Sequence, residues 1–335
     1  MTTNMPDDVV LQVEDLRVQF ATKVGVIKAV NGVSFGLRRG RILGIVGESG
    51  SGKSVTALSM MRLTPFPGRI VGGHIWFEGR DIPALPDEEL RRLRGNRISL
   101  IPQDPMTGLN PTVSIGDQLI EGIRSHTDMS KNEVKQLCVD TLRRLGLPDG
   151  DQLMQRYSFQ LSGGQAQRVL IAMAMALNPA VLIADEPTSA LDTTIQAQIL
   201  GELRKLRQDL GTAIMLITHD MGVIAQAADE VAVMYGGSIV EYGSVREVFR
   251  APTHPYTYAL LQSLPRLDRP VQTLKAIPGM PPDMLNLPDE CPFLPRCNKA
   301  RTVCRTDPRP PLVRGEGLPE DHLIACYNPM LPSDG

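Results

Sequence analysis

One eight-residue string constrains this chain more than any other feature. Gly47-Glu48-Ser49-Gly50-Ser51-Gly52-Lys53-Ser54 fits the pattern G-x-x-x-x-G-K-[ST] at every fixed position. It follows a short apolar run at residues 42–46 and opens a segment of helical character, and strand, loop, helix is the setting that gives the pattern a physical meaning. The glycines let successive backbone N–H groups curl around phosphate oxygens, and a helix N-terminus adds favourable partial charge. Lys53 would reach the β- and γ-phosphates of a nucleotide, and the Ser54 hydroxyl would sit on Mg²⁺. The chain should therefore form an α/β fold that binds ligands at strand ends.

The composition fits such a fold. Of 335 residues, 42% are apolar and 21% charged, enough to bury a real core. Charges nearly cancel, 35 Lys and Arg against 37 Asp and Glu, which argues against a strongly basic nucleic-acid binder. The longest wholly apolar stretch, residues 169–177, is nine residues, about half of the roughly 18–20 that a spanning helix needs. The N-terminus has no basic or apolar targeting region, so a soluble, intracellular chain is expected. Sixteen of 27 prolines and four of five cysteines fall after residue 250. We therefore expect an α/β domain over residues 1–250 and a loop-rich region over residues 251–335 that buries little core alone.

Further strands are expected at residues 181–184 and 213–217, and a hairpin around Gly236-Gly237. Asp185 and Glu186 follow the first of these. At the carboxyl end of a buried parallel strand, Asp185 is suited to hold Mg²⁺ and Glu186 to act as general base on an attacking water. Residues 106–165 form a helix-rich insertion. Its clearest helix opens at Ser130 with Glu133 in capping-box position, runs along Val134, Leu137, Cys138, Thr141, Leu142 and Leu145, and stops at Gly146. Cys138 on that face reads as a packed core thiol. Leu161-Ser162-Gly163-Gly164-Gln165 precedes another helix and again suits a phosphate.

With the phosphate loop before it and Asp185 20 residues after it, this last string resembles the signature motif of ATP-binding cassette (ABC) ATPases. The likeness continues at Gln103, which resembles the Q-loop glutamine; at Ser189-Ala190-Leu191-Asp192, which looks like the D-loop; and at His219, which resembles the switch histidine. It implies a P-loop NTPase (RecA-like) cassette with a helical subdomain at about 106–165 and an antiparallel β subdomain. It also implies ATP sandwiched between two such domains. One chain would supply Gly47 to Ser54, Gln103, Asp185, Glu186 and His219, with Gln103 joining Ser54 and Asp185 on Mg²⁺. The partner would supply Ser162, Gly163, Gly164 and Gln165 in trans. Many members stack an aromatic on adenine shortly before the phosphate loop; residues 24–27 hold none here, and Phe20, the nearest, reads as core.

Gln103-Asp104-Pro105-Met106-Thr107-Gly108-Leu109-Asn110-Pro111 resembles the Q-loop of the oligopeptide/dipeptide/nickel importer ATPases, which usually carry Ser where Gly108 stands. His254-Pro255-Tyr256-Thr257-Tyr258 and Ile277-Pro278-Gly279-Met280-Pro281-Pro282 resemble segments that follow their cassette, although a Pro-initiated helix start also accounts for the first. Ser158-Phe159 and Glu290 depart from the family's usual residues, away from the chemistry. The resemblance implies an ATP-hydrolysing subunit on the cytoplasmic face of the cell membrane. Its partners would be two integral-membrane permease subunits, a homologous second ATPase subunit and an external solute-binding protein, with no nucleic acid. Import of nickel or oligosaccharide is the alternative within the family. A soluble ABC ATPase acting on nucleic acid or ribosomes is the alternative outside it.

Cys291, Cys297, Cys304 and Cys326 are spaced C-x5-C-x6-C-x21-C. An intracellular chain has little use for disulfides, whereas thiolates on a metal would supply folding energy to a core-poor segment. The spacing matches neither the common zinc nor the common ferredoxin pattern. Resemblance to peptide-importer ATPases implies a [4Fe-4S] cluster on these four cysteines; zinc and unligated thiols are the alternatives. His322 is read as a surface residue that could substitute as a ligand.

Overall fold

The computed structural model describes residues 6–189, 191–263 and 276–330. Among them the first strands are β1 (Val9–Thr22), β2 (Gly25–Arg38), β3 (Ile42–Val46), β4 (Gly68–Phe77), β5 (Arg80–Asp81) and β6 (Ile98–Ile101). Then come β7 (Val181–Asp185), β8 (Ala213–Ile217), β9 (Glu230–Tyr235), β10 (Ser238–Ser244), β11 (Val313–Arg314) and β12 (Leu323–Ile324). The helices begin with α1 (Lys53–Met60), α2 (Asp87–Leu93), α3 (Ile115–Arg124), α4 (Lys131–Arg144), α5 (Gly150–Leu153) and α6 (Gly163–Met175). They continue with α7 (Thr193–Leu210), α8 (Met221–Ala227), α9 (Val245–Arg250), α10 (Pro255–Gln262) and α11 (Val303–Thr306). None of these helices is long and apolar enough to cross a membrane. Two compact units alternate along the sequence.

The first unit takes residues up to 11, 37–42 and 84–218. Its strands β6, β7 and β8 run parallel, with Ile101 opposite Ala184 and Asp185 opposite Ile217. Every residue of β7 and β8 is buried, the pattern of strands covered on both faces. Ser130 caps α4 in a reciprocal box with Glu133, as expected. Val134, Cys138, Thr141, Leu142 and Leu145 are buried, while Leu137 is only half-buried. Burial pushes the Cys138 thiol up to about 11, which leaves it an inert core group. Arg168 on α6 donates through Nη1 to the Gly146 carbonyl at 2.7 Å and so fastens α6 to the end of α4.

The second unit takes residues 12–36, 43–83 and 219 onward. It contains a four-stranded sheet in the order β2-β1-β4-β5. In its other sheet β3 runs parallel to β9, and β9 turns antiparallel into β10 through Gly236 and Gly237, both at positive φ (53° and 76°), as a tight hairpin turn demands. Strand β12 adds to β10 with Ile324 opposite Glu241, and β11 adds to β12, so the loop-rich region finds its support on the edge of β10. Phe20 departs from the expectation of a core residue. It is half-buried, with its ring so close to Gly68 that a Cβ there would lie 2.6 Å away. Replacing the α4 cap by Ser130→Ala should cost about 1 kcal/mol of stability, measured by denaturant unfolding, with the same change at exposed Ser125 near neutral.

Candidate nucleotide site and cysteine cavity

The phosphate loop is a backbone path that only glycine can follow at two points. Gly47 (φ 154°) and Gly52 (φ 100°) lie where an added Cβ would meet the Met234 and Ala29 carbonyl oxygens at 2.2 and 2.4 Å. The hairpin braces the loop from below, because Gly237 N–H donates to the Ser51 carbonyl at 3.1 Å. Lys53 is buried, its ammonium donating to the Gly47 and Glu48 carbonyls (2.8 and 2.9 Å) and to Ser51 Oγ (3.3 Å). The cation is thus already in place inside the loop. Gly52 is the N-cap of α1 and offers no side chain to the first-turn N–H groups, which are the donors an anion would use.

Glu48 faces the C-terminal region. Its N–H donates to the Tyr256 hydroxyl at 2.9 Å, and its carboxylate accepts Arg296 Nη1 and Nη2 at 2.7 and 3.2 Å. Arg296, 6% exposed, also donates to the Tyr235 hydroxyl (3.0 Å) and to the Pro278 and Ile277 carbonyls (2.9 and 3.2 Å). Tyr235, Tyr256 and Phe293 pack their rings 4.4–5.4 Å apart around this pair. Burial lifts both tyrosine hydroxyls above their ordinary range, so they stay neutral partners. Sequence reasoning missed Arg296 altogether; its only signal is its place between Cys291 and Cys297.

Gln103 and Asp185 stand at the carboxyl ends of the neighbouring strands β6 and β7. Asp185 is buried and Gln103 exposed. Glu186 has φ 49°, a left-handed conformation unusual for a side-chain-bearing residue, held by its N–H to the Ile217 carbonyl (2.8 Å) and by Ser189 N–H and Oγ donating to its own carbonyl (3.3 and 3.2 Å). His219, two residues beyond β8, is exposed, and Asp220 next to it caps α8 through Gly222 and Val223 N–H. Asp192 caps α7 in the same manner, and Ala190 of the expected D-loop lies outside the described residues. Gly108 has a packing reason: a Cβ there would come within 2.9 Å of Leu170.

Ser162 caps α6 in a reciprocal box with Gln165 (3.3 and 3.1 Å), which presents the signature segment at a well-ordered helix start. Ser162 and Gly163 are exposed, and a Cβ on Gly163 would meet nothing within 4 Å. The packing of the chain itself does not require glycine there.

All four late cysteines line one cavity of about 20 Å³, together with His254, Phe293 and Asn328 among others. None forms a disulfide. Burial pushes Cys291 up to about 11 and Cys326 to about 12, raises Cys297, and the nearby sulfurs raise all three further. Four thiolates crowded in an apolar wall would be unfavourable unless a cation lay among them. As placed, however, no three His, Cys, Asp or Glu side chains among the described residues are arranged to hold a metal ion. His322 corrects the sequence reading. It is buried, not a surface residue, and its Nε2 donates to Glu241 at 2.9 Å instead of facing the cysteines. Glu241 is 0% exposed and also accepts Thr253 N–H, Thr253 Oγ1 and His254 N–H at 2.7, 2.7 and 3.0 Å. Burial alone would raise its carboxyl, but bonds from His322 and Thr253 outweigh it and hold it below its ordinary value.

Comparison with known proteins agrees with this architecture. Residues 30–189 match the ABC transporter family and residues 240–304 the oligopeptide/dipeptide transporter C-terminal region. The chain is 49% identical to the oligopeptide transport ATP-binding protein OppD of Salmonella typhimurium, over 97% of this chain and 95% of that one. It is 48% identical to the dipeptide transport ATP-binding protein DppD of Bacillus subtilis, over 95% and 94%. Among solved structures, the ATP-binding cassette MJ0796, a dimer in a post-hydrolysis state bound to ADP and Pi, superposes with a TM-score of 0.65 at 26% identity, over 70% of this chain and 99% of that one. The fold is that of the ABC cassette. The chain belongs to the ABC transporter family, in its oligopeptide/dipeptide transporter branch.

The Glu48–Arg296 pair gives a direct test of how far the tail supports the loop. Arg296→Met should lower unfolding free energy by about 1.5–3 kcal/mol and weaken binding of a fluorescent ATP analogue. Adding Glu48→Gln should then cost less than it does alone, the coupling expected of contacting partners.

Proposed function

We propose that this chain is the ATP-hydrolysing subunit that energises peptide uptake through a membrane permease. The observation that carries the reading is the preformed phosphate loop with Lys53 already seated in it, in a chain whose relatives over almost its whole length are named oligopeptide and dipeptide transport ATP-binding proteins. Lys53 and the α1 N-terminus hold the β- and γ-phosphates. Mg²⁺, when bound to Ser54, Gln103 and Asp185, supplies neutralising charge at those phosphates. Glu186, fixed by its strained backbone at the end of β7, takes a proton from the attacking water. The water oxygen bonds to the γ-phosphorus as the bond to the β–γ bridging oxygen breaks, and ADP leaves. His219 contacts the γ-phosphate. Ser162, Gly163, Gly164 and Gln165 serve the nucleotide of a second ATPase subunit, which accounts for an exposed glycine at a capped helix start with open space around it. In this reading the chain docks at the cytoplasmic face of the cell membrane on two permease subunits, with a homologous second ATPase and an external solute-binding protein.

The four cysteines hold a [4Fe-4S] cluster, with a single zinc ion as the competing occupant. The convergence of four free thiols on one cavity supports this. A centre there would supply cross-links among tail segments that share little apolar core. Cys297→Ser should reduce the metal content of the purified chain and lower the melting temperature; unchanged metal content would remove the four-cysteine site.

Glu186→Gln should retain ATP while losing about 10²–10⁴-fold in turnover, measured in the assembled complex, and near-normal turnover would remove Glu186 as the base. Loaded with ATP in native membranes and extracted gently, the same variant should copurify with permeases, a second ATPase and a binding protein carrying peptide. Recovery of ribosomes or nucleic acid without membrane protein would overturn the transport reading.

A further inference from the structure

We infer that a second cavity, bounded by β1, β2, β10 and the C-terminal region, binds a small zwitterion of dipeptide size, with Arg309 taking its carboxylate and Asp289 its ammonium. The cavity measures about 470 Å³, within the range of small-molecule sites. Arg17, Arg309, Asp15 and Asp289 lie along it, and Pro310, Pro311, Leu312 and Leu323 give it an apolar wall. It shares only Cys291 and Pro310 with the cysteine cavity. The inference depends neither on what the cysteines hold nor on the transport reading.

The two arginines differ in what they already hold. Arg17 grips Asp15 through the Nε–Nη2 edge of its guanidinium, at 3.1 and 2.8 Å, and gives Nη1 to Asn31 Oδ1 at 3.3 Å. Arg309 gives only Nη1, to the Asn31 carbonyl and to Ser238 Oγ. Its Nε–Nη2 edge, the edge that carries a carboxylate on Arg17, has no hydrogen-bond partner among the described residues. Two parallel N–H donors on that edge match a planar carboxylate. Gly32 keeps the space beside it open, since a Cβ there would sit 3.1 Å from Arg309 Nη2 and 2.9 Å from Asp15 Oδ1. Burial holds the Arg309 guanidinium below its ordinary value despite Asp289 and Asp15, and Arg17 adds to the effect. This cation is therefore still short of negative charge. It is also fixed before binding, because Ser238 Oγ, which accepts from it, donates to the same Asn31 carbonyl at 3.1 Å. A guanidinium held by one edge loses little freedom when the other edge binds.

The second charge of the ligand follows from Asp289. Arg309 N–H donates to the Asp289 carbonyl at 3.1 Å, which sets the two residues side by side. The Asp289 side chain is exposed, and its carboxylate accepts no hydrogen bond among the described residues. Two arginines and two aspartates leave the lining without net charge. A phosphate dianion would meet both carboxylates, whereas a zwitterion answers each sign with its opposite.

The test uses the purified full-length chain and titration calorimetry, with alanyl-leucine as probe. Its C-terminal amide, which lacks the carboxylate, and its N-acetyl form, which lacks the ammonium, should each bind about 10-fold or more weakly. Arg309→Gln should weaken the parent dipeptide by a similar factor. Asp289→Asn, at an exposed side chain, should do so without changing the melting temperature. Acetylation and Asp289→Asn remove the same contact, so together they should cost little more than either alone. If Arg309→Gln does not fold, the three ligands on the wild-type chain and on Asp289→Asn still decide. No binding of alanyl-leucine at millimolar concentration would overturn the inference, and so would equal binding of its amide. Inorganic phosphate that bound as tightly and displaced the dipeptide would also overturn it, by showing a site for any anion.

Discussion

Between Gly47 and Gly52 the backbone passes so close to the Met234 and Ala29 carbonyls that no Cβ fits at either end. That path gathers the Gly47 and Glu48 carbonyls around Lys53 and leaves the α1 N-terminus uncapped. The loop therefore fixes a cation and the first-turn donors of α1 through its own backbone, the condition under which electrostatic stabilisation needs little reorganisation. Its supports are equally specific. Hairpin β9–β10 underlies Ser51, and the C-terminal region grips Glu48 through Arg296 and Tyr256.

The second support depends on Glu241. A buried carboxylate is expensive unless fully hydrogen-bonded, and this one accepts from the adjacent Thr253 and His254 and from the distant His322. The bonds fix the start of α10, and α10 positions Tyr256 against Glu48. The same turn sets His254 over the cysteine cavity. A proline-rich segment with little core is thus ordered by polar groups that satisfy one another, an arrangement sensitive to the loss of any one member.

Legibility differed by interaction range. Local rules were plain in the residues: the Ser130–Glu133 box, the Gly236-Gly237 turn and the buried runs of β3, β7 and β8 all follow from near neighbours. His322 and Phe20 were misread because burial of a single side chain depends on what the rest of the chain lays over it. Arg296 was invisible because a lone arginine carries no period and no motif. The His254-Pro255-Tyr256 segment reads in the sequence as a family mark, while its ties to Glu48 and the cysteine cavity span more than 30 residues in each direction.

By itself, then, the sequence determined the class of chemistry. The eight residues of the phosphate loop and the acidic pair Asp185-Glu186 at the end of β7 are legible from residue type and local spacing, which short-range sterics translate into backbone geometry. Tertiary structure alone decided which groups surround them. It seated Lys53, turned Glu48 toward Arg296, placed Glu186 at positive φ and gathered His254 and four thiols around one cavity. Such outcomes depend on desolvation and on pairing between residues far apart in the chain, and neither is encoded in any one segment.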